Sequence, residues 1–370
     1  MKVRNRDRKG AADETVDNVT HTLTGLMLSR SGIDRKVARA APMMMIAANL
    51  PDIDAVAFFG GPVAYLQWHR SYPHALVFAP LMALIPPLLF LLFARQRITL
   101  WAYAGSLLGV LSHLALDSTN IYGIRLLLPF SARWLRLDIT DIVDPWILAI
   151  LFLALAAPAL ARMVGSEIAS RNVRSGPHRG WAWFALIALF SYECVRYTAH
   201  ERALAVMGAH TFNGVIARRL TALPRGANPL LWKGVAEGVS PDSAENARES
   251  ANGEKDGKST GNDGQNTGKS DHFATIVPVD LGEPFDPTAG RTDHDAMPNP
   301  AIDAARATHP FQVFAEFDQL PFWKVTRTAT GTLVELIDLR FGTPQHPGFE
   351  ASATIDESGA VQDVHARFGR

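Results

Sequence analysis

The chain has 370 residues with 36 Lys and Arg against 36 Asp and Glu, so its formal charge is zero and the totals indicate neither a bulk nucleic-acid binder nor an acidic tail. The single cysteine, Cys194, excludes an intramolecular disulfide and a cysteine-based zinc site, which leaves any metal to His, Asp and Glu. Apolar residues crowd the part before residue 200, whereas Gly, Ser, Asn and Asp dominate after residue 235, so two kinds of chain are joined.

Residues 1–15 are basic and polar with no apolar run and cleavage site behind them, so they read as a disordered extension and not as a secretory signal. Translation starting at Val16 would remove them. Two short helices follow, 18–29, opened by Asp17 as N-cap, and 37–49, ended by Pro51; both read as bundle-lining or half-inserted helices. Residues 75–94, ALVFAPLMALIPPLLFLLFA, have the length and apolarity of a membrane span, kinked near Pro86. Segments 98–116, 145–161 and 181–192 read as three further spans. The expected fold is therefore mainly α, a polytopic membrane helix bundle over residues 16–200. Basic residues such as Arg30, Arg35, Lys36, Arg39, Arg95 and Arg97 mark one end as cytoplasmic, which places 51–74, 117–144 and everything after Tyr192 on the periplasmic side.

Beyond the bundle, 201–237 reads as a connecting helical segment, 238–270 as a disordered linker almost free of apolar residues, and 271–308 as irregular. Residues 309–370 regain alternation, with a turn at Glu357-Ser358-Gly359, and are expected to form a small β-rich (α+β) soluble domain. Its partners are not legible in the sequence.

The ionisable residues at the periplasmic ends of the helices form a set: His21, Asp52, Asp54, His69, Arg70, His74, His113, Asp117, Asp141 and Asp144. Ionisable groups at membrane depth are costly and default to a functional reading. His113 and Asp117 stand four apart and so share a helix face, able to grip one ion or adjacent ions. A His/Asp donor set without thiols suits zinc, or manganese or iron, and carboxylates shared between ions suit a multinuclear site. Arg70 offers a planar fork matched to phosphate oxygens. Asp138 reads instead as part of a solvated turn, and the remaining histidines lie scattered in polar surroundings.

The motifs DNVTHTLTG, NLPDID, HRSYPHAL, SHLALDSTNIYGIRLLLPFS and DIVDPW, in this order, resemble the YdjM-like family of inner-membrane proteins described as membrane-bound metal-dependent hydrolases. The resemblance covers residues 16 to 200. That family is in turn similar, at a distance, to zinc-dependent phospholipase C and P1-type nucleases, whose helical fold holds several zinc ions and includes a His-x-x-x-Asp pair. His113 and Asp117 match that pair. The resemblance implies His21, Asp54 and His69 as earlier ligands, with Asp52 and His74 as competing choices and His69 preferred over His74. Asp141 and Asp144 stand in for later ligands that have no direct match, and Ala75 replaces the usual Ser after the second histidine.

The function expected from residues and resemblance together is an inner-membrane hydrolase using a divalent metal, zinc foremost. Its substrate would be a lipid-like phosphoester at the membrane surface, with Asp54 or Asp52 as general base and Arg70 facing the phosphoryl charge. Membrane lipids are the expected partners, and no nucleic acid. The alternative is a non-enzymatic membrane metal-binding or transport protein using the same His/Asp cluster.

Overall fold

The computed structural model describes residues 7–168, 178–240 and 269–368. Two units make up the chain, Met1–Thr198 and Ala199–Arg370. The first contains α1 (Asp7–Arg30), α2 (Ala40–Asn49), a 3₁₀ segment Pro51–Gly60, α3 (Pro62–Trp68), a 3₁₀ turn Tyr72–His74, α4 (Ala79–Met82), α5 (Ile85–Ala94), α6 (Leu100–Thr119) and α7 (Pro145–Ile168). Helix α8 (His178–Gly208) ends it and runs into the second.

Helix α6 shows how the sequence builds the centre. Thr99 caps it by accepting the Ala102 amide at 3.1 Å. Its buried residues, Ala102, Gly105, Ser106, Gly109, Val110, His113, Leu114 and Asp117, recur at helical spacing as one stripe. The small members of that stripe let α2 come very close. A Cβ on Gly109 would stand 2.9 Å from the Ala47 Cβ and 3.2 Å from the Met44 carbonyl oxygen. A Cβ on Gly25 of α1 would meet the same carbonyl at 2.7 Å. Both α1 and α6 thus reach the Met44 carbonyl of α2 through a glycine, and His21 and His113 each sit one helical turn from theirs. Asn49 ties the layers by donating to Thr22 Oγ1 at 2.8 Å. A neighbouring core joins Leu23 and Met27 of α1 to Ile147, Leu151 and Ala154 of α7 and Ala182, Ala185 and Leu189 of α8.

This architecture corrects the expected polytopic bundle. Among the described residues one stretch, Leu76–Ala94, is long and apolar enough to cross a membrane, and the pair Ala40–Asn49 and Pro51–Gly60, bent by 48°, makes a second if it is one broken span. The other apolar runs fail for separate reasons. The run 98–116 belongs to α6, whose stripe is covered by α1 and α2 and carries His113 and Asp117. The apolar part of α7, Pro145–Leu160, is short, and the run 181–192 continues in the same helix into Glu193, Arg196, Glu201 and Arg202. An apolar run long enough for a span is equally what the inside of a helical core requires.

The second correction concerns strand content. The second unit holds two four-stranded antiparallel sheets, each ordered as a meander. The first comprises β1 (Arg219–Pro224), β2 (Leu231–Val239), β3 (Lys269–Asp280) and β4 (Arg291–Ala296). These strands occupy stretches read above as a helical connector and as irregular; residues 241–268 of the expected linker lie outside the described residues, and 1–6 of the expected N-terminal extension do too. Helices α9 (Pro300–Arg306) and α10 (His309–Phe317) precede the second sheet, β5 (Pro321–Thr328), β6 (Gly331–Asp338), β7 (Phe349–Ile355) and β8 (Val361–Phe368). Fully buried Trp232 packs with Ala203, Met207 and Val277 in the first sheet's core, and Phe311, Phe314 and Phe317 of α10 recur every third residue as its buried edge.

Candidate metal centre

Four elements carry the chemistry to one point, the 3₁₀ turn Tyr72–His74 bringing His74. Helix α6 presents His113 and Asp117 on one face, and α1 presents Asp17 and His21 with the same four-residue spacing. The 3₁₀ segment Pro51–Gly60 supplies Asp52 and Asp54; at about three residues per turn, positions two apart diverge by roughly 120°. The two carboxylates consequently bracket His74 from either side of its ring. Asp54 Oδ2 lies 3.1 Å from Nδ1 and Asp52 Oδ1 lies 3.3 Å from Nε2.

The tautomers follow from the partners. His113 Nδ1 lies 2.7 Å from the Ala48 carbonyl oxygen, which can only accept, so Nδ1 carries the hydrogen and Nε2 offers a lone pair. His74 donates from Nδ1 to Asp54 by the same logic. The two Nε2 atoms then face each other at 3.1 Å, and a proton or a metal ion must sit between them. Two carboxylate oxygens close the group. Asp117 Oδ2 is 3.4 Å from each Nε2, and Asp52 Oδ1 is 3.3 Å from that of His74 and 3.5 Å from that of His113. A tetrahedral ion with N and O ligands at about 2.0 to 2.2 Å has ligand atoms about 3.3 to 3.5 Å apart. Four of the five separations here, 3.3 to 3.5 Å, fit that tetrahedron, and the Nε2–Nε2 separation of 3.1 Å is slightly shorter. Neither oxygen of buried Asp117 has a hydrogen-bond partner, as expected of a carboxylate reserved for a cation.

Electrostatics agree with a cation site. Asp17, Asp52, Asp54 and Asp117 set four negative charges against one guanidinium, Arg70. Burial opposes the charged forms throughout, yet the Arg70 and His113 charges hold the Asp117 carboxyl well below its ordinary range. Burial likewise opposes an imidazolium at His74, but contacts with Asp117, Asp52 and Asp54 reverse it and push its pKa well upward. For His21, burial is outweighed by the Asp17 charge and the adjoining Asp117, and its pKa is pushed up to about 10. A metal ion between His74 and His113 would take the place of the proton there, so its binding would be favoured by rising pH.

Two further groupings can hold an ion, Asp17/His21/Asp117 and Asp52/Asp54/His69. The second is already satisfied from within. Asp54 Oδ1 accepts from His69 Nδ1 at 3.0 Å and Oδ2 from His74, with the Ser71 amide at 3.4 Å. Asp54 is therefore the carboxylate that orients two imidazoles, and His74, not His69, meets His113. His69 stacks on Tyr65, ring centroids 4.5 Å apart. Replacing Asp54 with Asn is expected to weaken zinc binding about 10- to 100-fold, the usual effect of losing an outer partner of a metal-bound histidine. Competition titration against a zinc chelator measures it.

Arg70 does not face outward. It is 3% exposed, and its terminal nitrogens donate to Asp17 Oδ2 and Asn120 Oδ1, both at 3.0 Å, beside Asp117 Oδ1 at 3.3 Å. Its expected contact with a phosphoryl group is replaced by contacts within the protein. Asp141 and Asp144 belong to none of the ion-holding groups among the described residues. Asp144 caps α7, accepting the Trp146 and Ile147 amides at 2.9 and 3.3 Å, and receives the Tyr192 hydroxyl at 2.8 Å. Asp141 accepts the amide of Ile142. Asp17 was legible only as a helix cap; its four-residue spacing to His21, the reverse of His113 and Asp117, is the signal that marks it as part of the site. Nothing in the sequence marked Asn120, which holds Arg70 while accepting the Tyr122 and Gly123 amides.

Near Asp144 lies a half-buried acid, Glu193, whose two carboxylate oxygens are buried with no hydrogen-bond partner. Burial, then the Asp144 charge, push its pKa up to about 7 against the pull of Arg196. The folded value exceeds the ordinary 4.5, so the native state binds the extra proton. Its contribution to stability is full below that ordinary value and is lost as pH rises through 7. Glu193→Gln is expected to flatten this fall, which thermal unfolding midpoints at acid and mildly alkaline pH report.

Residues 16–203 match the family model described as YdjM inner membrane protein, half of the chain. The chain belongs to the YdjM inner membrane protein family. Protein YfhP of Bacillus subtilis (strain 168), itself uncharacterized, is 29% identical over 140 residues, 36% of this chain and 43% of its own length. The chain thus spans less than half the length of that relative. No solved structure matches the chain. The matched region of this YdjM family member contains every residue of the His/Asp cluster. The wider likeness to phospholipase C and P1-type nucleases is carried by none of these matches.

Proposed function

We propose that this YdjM family member is a metal-dependent hydrolase acting on a lipid-like phosphoester at the membrane surface. The observation that carries the reading is the convergence of Asp52, His74, His113 and Asp117 at tetrahedral spacing. A divalent ion bound there, zinc foremost, would acidify water toward neutral pH and polarise an ester oxygen. Asp52, its side chain 15% exposed where the other three are at most 1% exposed, is the donor nearest solvent, the one whose release would open a coordination position to water and leave a carboxylate to take the water's proton. His74 is kept aligned by Asp54, and His113 by Ala48.

A lipid-like substrate is favoured by the apolar surface around Asp52. The 3₁₀ segment that turns Asp52 and Asp54 inward exposes Ile53, Val56, Phe58 and Phe59, and Trp68 and Tyr72 flank the histidines with half-exposed rings. The family's inner-membrane character and the apolar stretch Leu76–Ala94, which begins two residues after His74, support the same placement. A periplasmic opening is part of this proposal.

One observation favours the alternative, a membrane metal-binding or transport protein without hydrolytic activity. Four protein donors complete a tetrahedron, as in closed structural sites, whereas catalytic sites keep a position open. Both readings are tested on protein purified in detergent, by elemental analysis followed by hydrolysis of phospholipids and nitrophenyl phosphoesters with and without chelator. Metal with chelator-sensitive hydrolysis supports the enzyme; metal without hydrolysis supports the alternative; absence of metal overturns both.

A further inference from the structure

The pocket formed by Asp17, His21 and Asp117 has the spacing of an ion site, with His21 Nε2 3.5 Å from Asp17 Oδ1 and 3.3 Å from Asp117 Oδ1. Neither ring nitrogen of His21 makes a well-aligned hydrogen bond, and Nε2 faces the two carboxylates. A different cation already spans the pocket. Arg70 Nη2 sits 3.0 Å from Asp17 Oδ2 and 3.3 Å from Asp117 Oδ1, against the same two carboxylates a second ion would use.

We propose that Arg70 is a built-in counter-cation that takes the place of a second metal ion, so that the centre binds one ion per chain. The inference rests on the metal reading above and fixes its stoichiometry. The guanidinium is held where it stands. Its other terminal nitrogen donates to Asn120 Oδ1 at 3.0 Å and to the Gly123 carbonyl at 3.5 Å, and its Cζ lies 4.8 Å from the centre of the Tyr122 ring. The backbone supports this, since Arg70 has φ 53, a left-handed conformation uncommon for a residue with a side chain. An arginine cannot be deprotonated in a protein, so the positive charge is permanent and repels a divalent ion from the neighbouring pocket. The Asp52/His74/His113/Asp117 pocket contains no such cation among its four donors. Two pockets sharing Asp117 are thereby given different occupants, one an ion and one a side chain.

The experiment loads purified full-length protein with zinc, removes loose metal by gel filtration in detergent and counts zinc per chain. The expected values are one for the unsubstituted protein, two for Arg70→Met, and one for both Asp17→Asn and the Arg70→Met/Asp17→Asn double variant. Substitution of cobalt reports the tetrahedral visible absorption of the first site in every variant that retains the fold. Two ions in the unsubstituted protein that fall to one in Asp17→Asn would overturn the proposal, and this comparison decides the matter even where Arg70→Met is not recovered folded. A folded Arg70→Met with the cobalt spectrum intact and one ion would overturn it too. Zero ions in the unsubstituted protein defeats the metal reading itself, an outcome distinct from the other two.

Discussion

Replacing His113 with Ala is expected to strip the protein of its metal while leaving it folded. The substitution removes one of the two facing Nε2 atoms and leaves His74, Asp52 and Asp117 without the partner that closes their tetrahedron. Loss of an outer partner costs metal affinity about 10- to 100-fold, so losing a direct ligand should exceed about 100-fold. The cost to the fold is the hydrogen bond to the Ala48 carbonyl, the Nε2 contact with His74 and the cavity left by a fully buried ring, together about 2 to 5 kcal/mol. Elemental analysis after gel filtration should therefore find zinc near one per chain in the unsubstituted protein and close to none in the variant. Thermal unfolding of the two proteins in chelator should remain cooperative, with the variant's midpoint lower by about 4 to 20 °C.

Gly109→Val is expected to lose stability and metal together. The new side chain would begin 2.9 Å from the Ala47 Cβ and 3.2 Å from the Met44 carbonyl oxygen. A side-chain neighbour can rotate away, but a helix backbone cannot, so α6 must move off α2. Overpacking ordinarily costs about 1 to 3 kcal/mol, and a clash against backbone belongs at or beyond the top of that range. For a unit of this size each kcal/mol lowers the melting temperature by about 2 to 4 °C, giving a fall of about 6 to 12 °C. The same movement draws His113, one turn away, from the Ala48 carbonyl that sets its tautomer, and zinc affinity falls with it. Gly180→Ala in α8 is the control: a Cβ there meets nothing within 4 Å, and the substitution should leave zinc binding unchanged and raise stability by about 0.4 to 1 kcal/mol.

These two results depend on different depths of information in the sequence. The pairing of His113 with Asp117 is a local consequence of helical period and was legible, as was the order of the motifs around it. The choice between His69 and His74 was not, because it turns on a 3₁₀ segment that sends Asp52 and Asp54 to opposite nitrogens of one ring. Hydropathy alone could not separate a lipid-facing helix from one covered by neighbours. Gly25 and Gly109 were invisible for a related reason, since what makes them necessary is the approach of α2, a contact distant in sequence. Arg70 was read as facing a substrate because no local pattern reveals that Asp17, 53 residues earlier, claims its guanidinium. The β2–β3 pairing was missed because it joins segments across the polar stretch 241–268, and strand pairing over such a separation leaves little local trace.

The most direct test of the metal centre is zinc K-edge X-ray absorption on the loaded protein. Four nitrogen and oxygen neighbours at about 2.0 to 2.2 Å, with the outer-shell scattering of two imidazoles, is the result expected from His74, His113, Asp52 and Asp117. A spectrum with no imidazole scattering, or a six-oxygen shell of hydrated zinc, would contradict it.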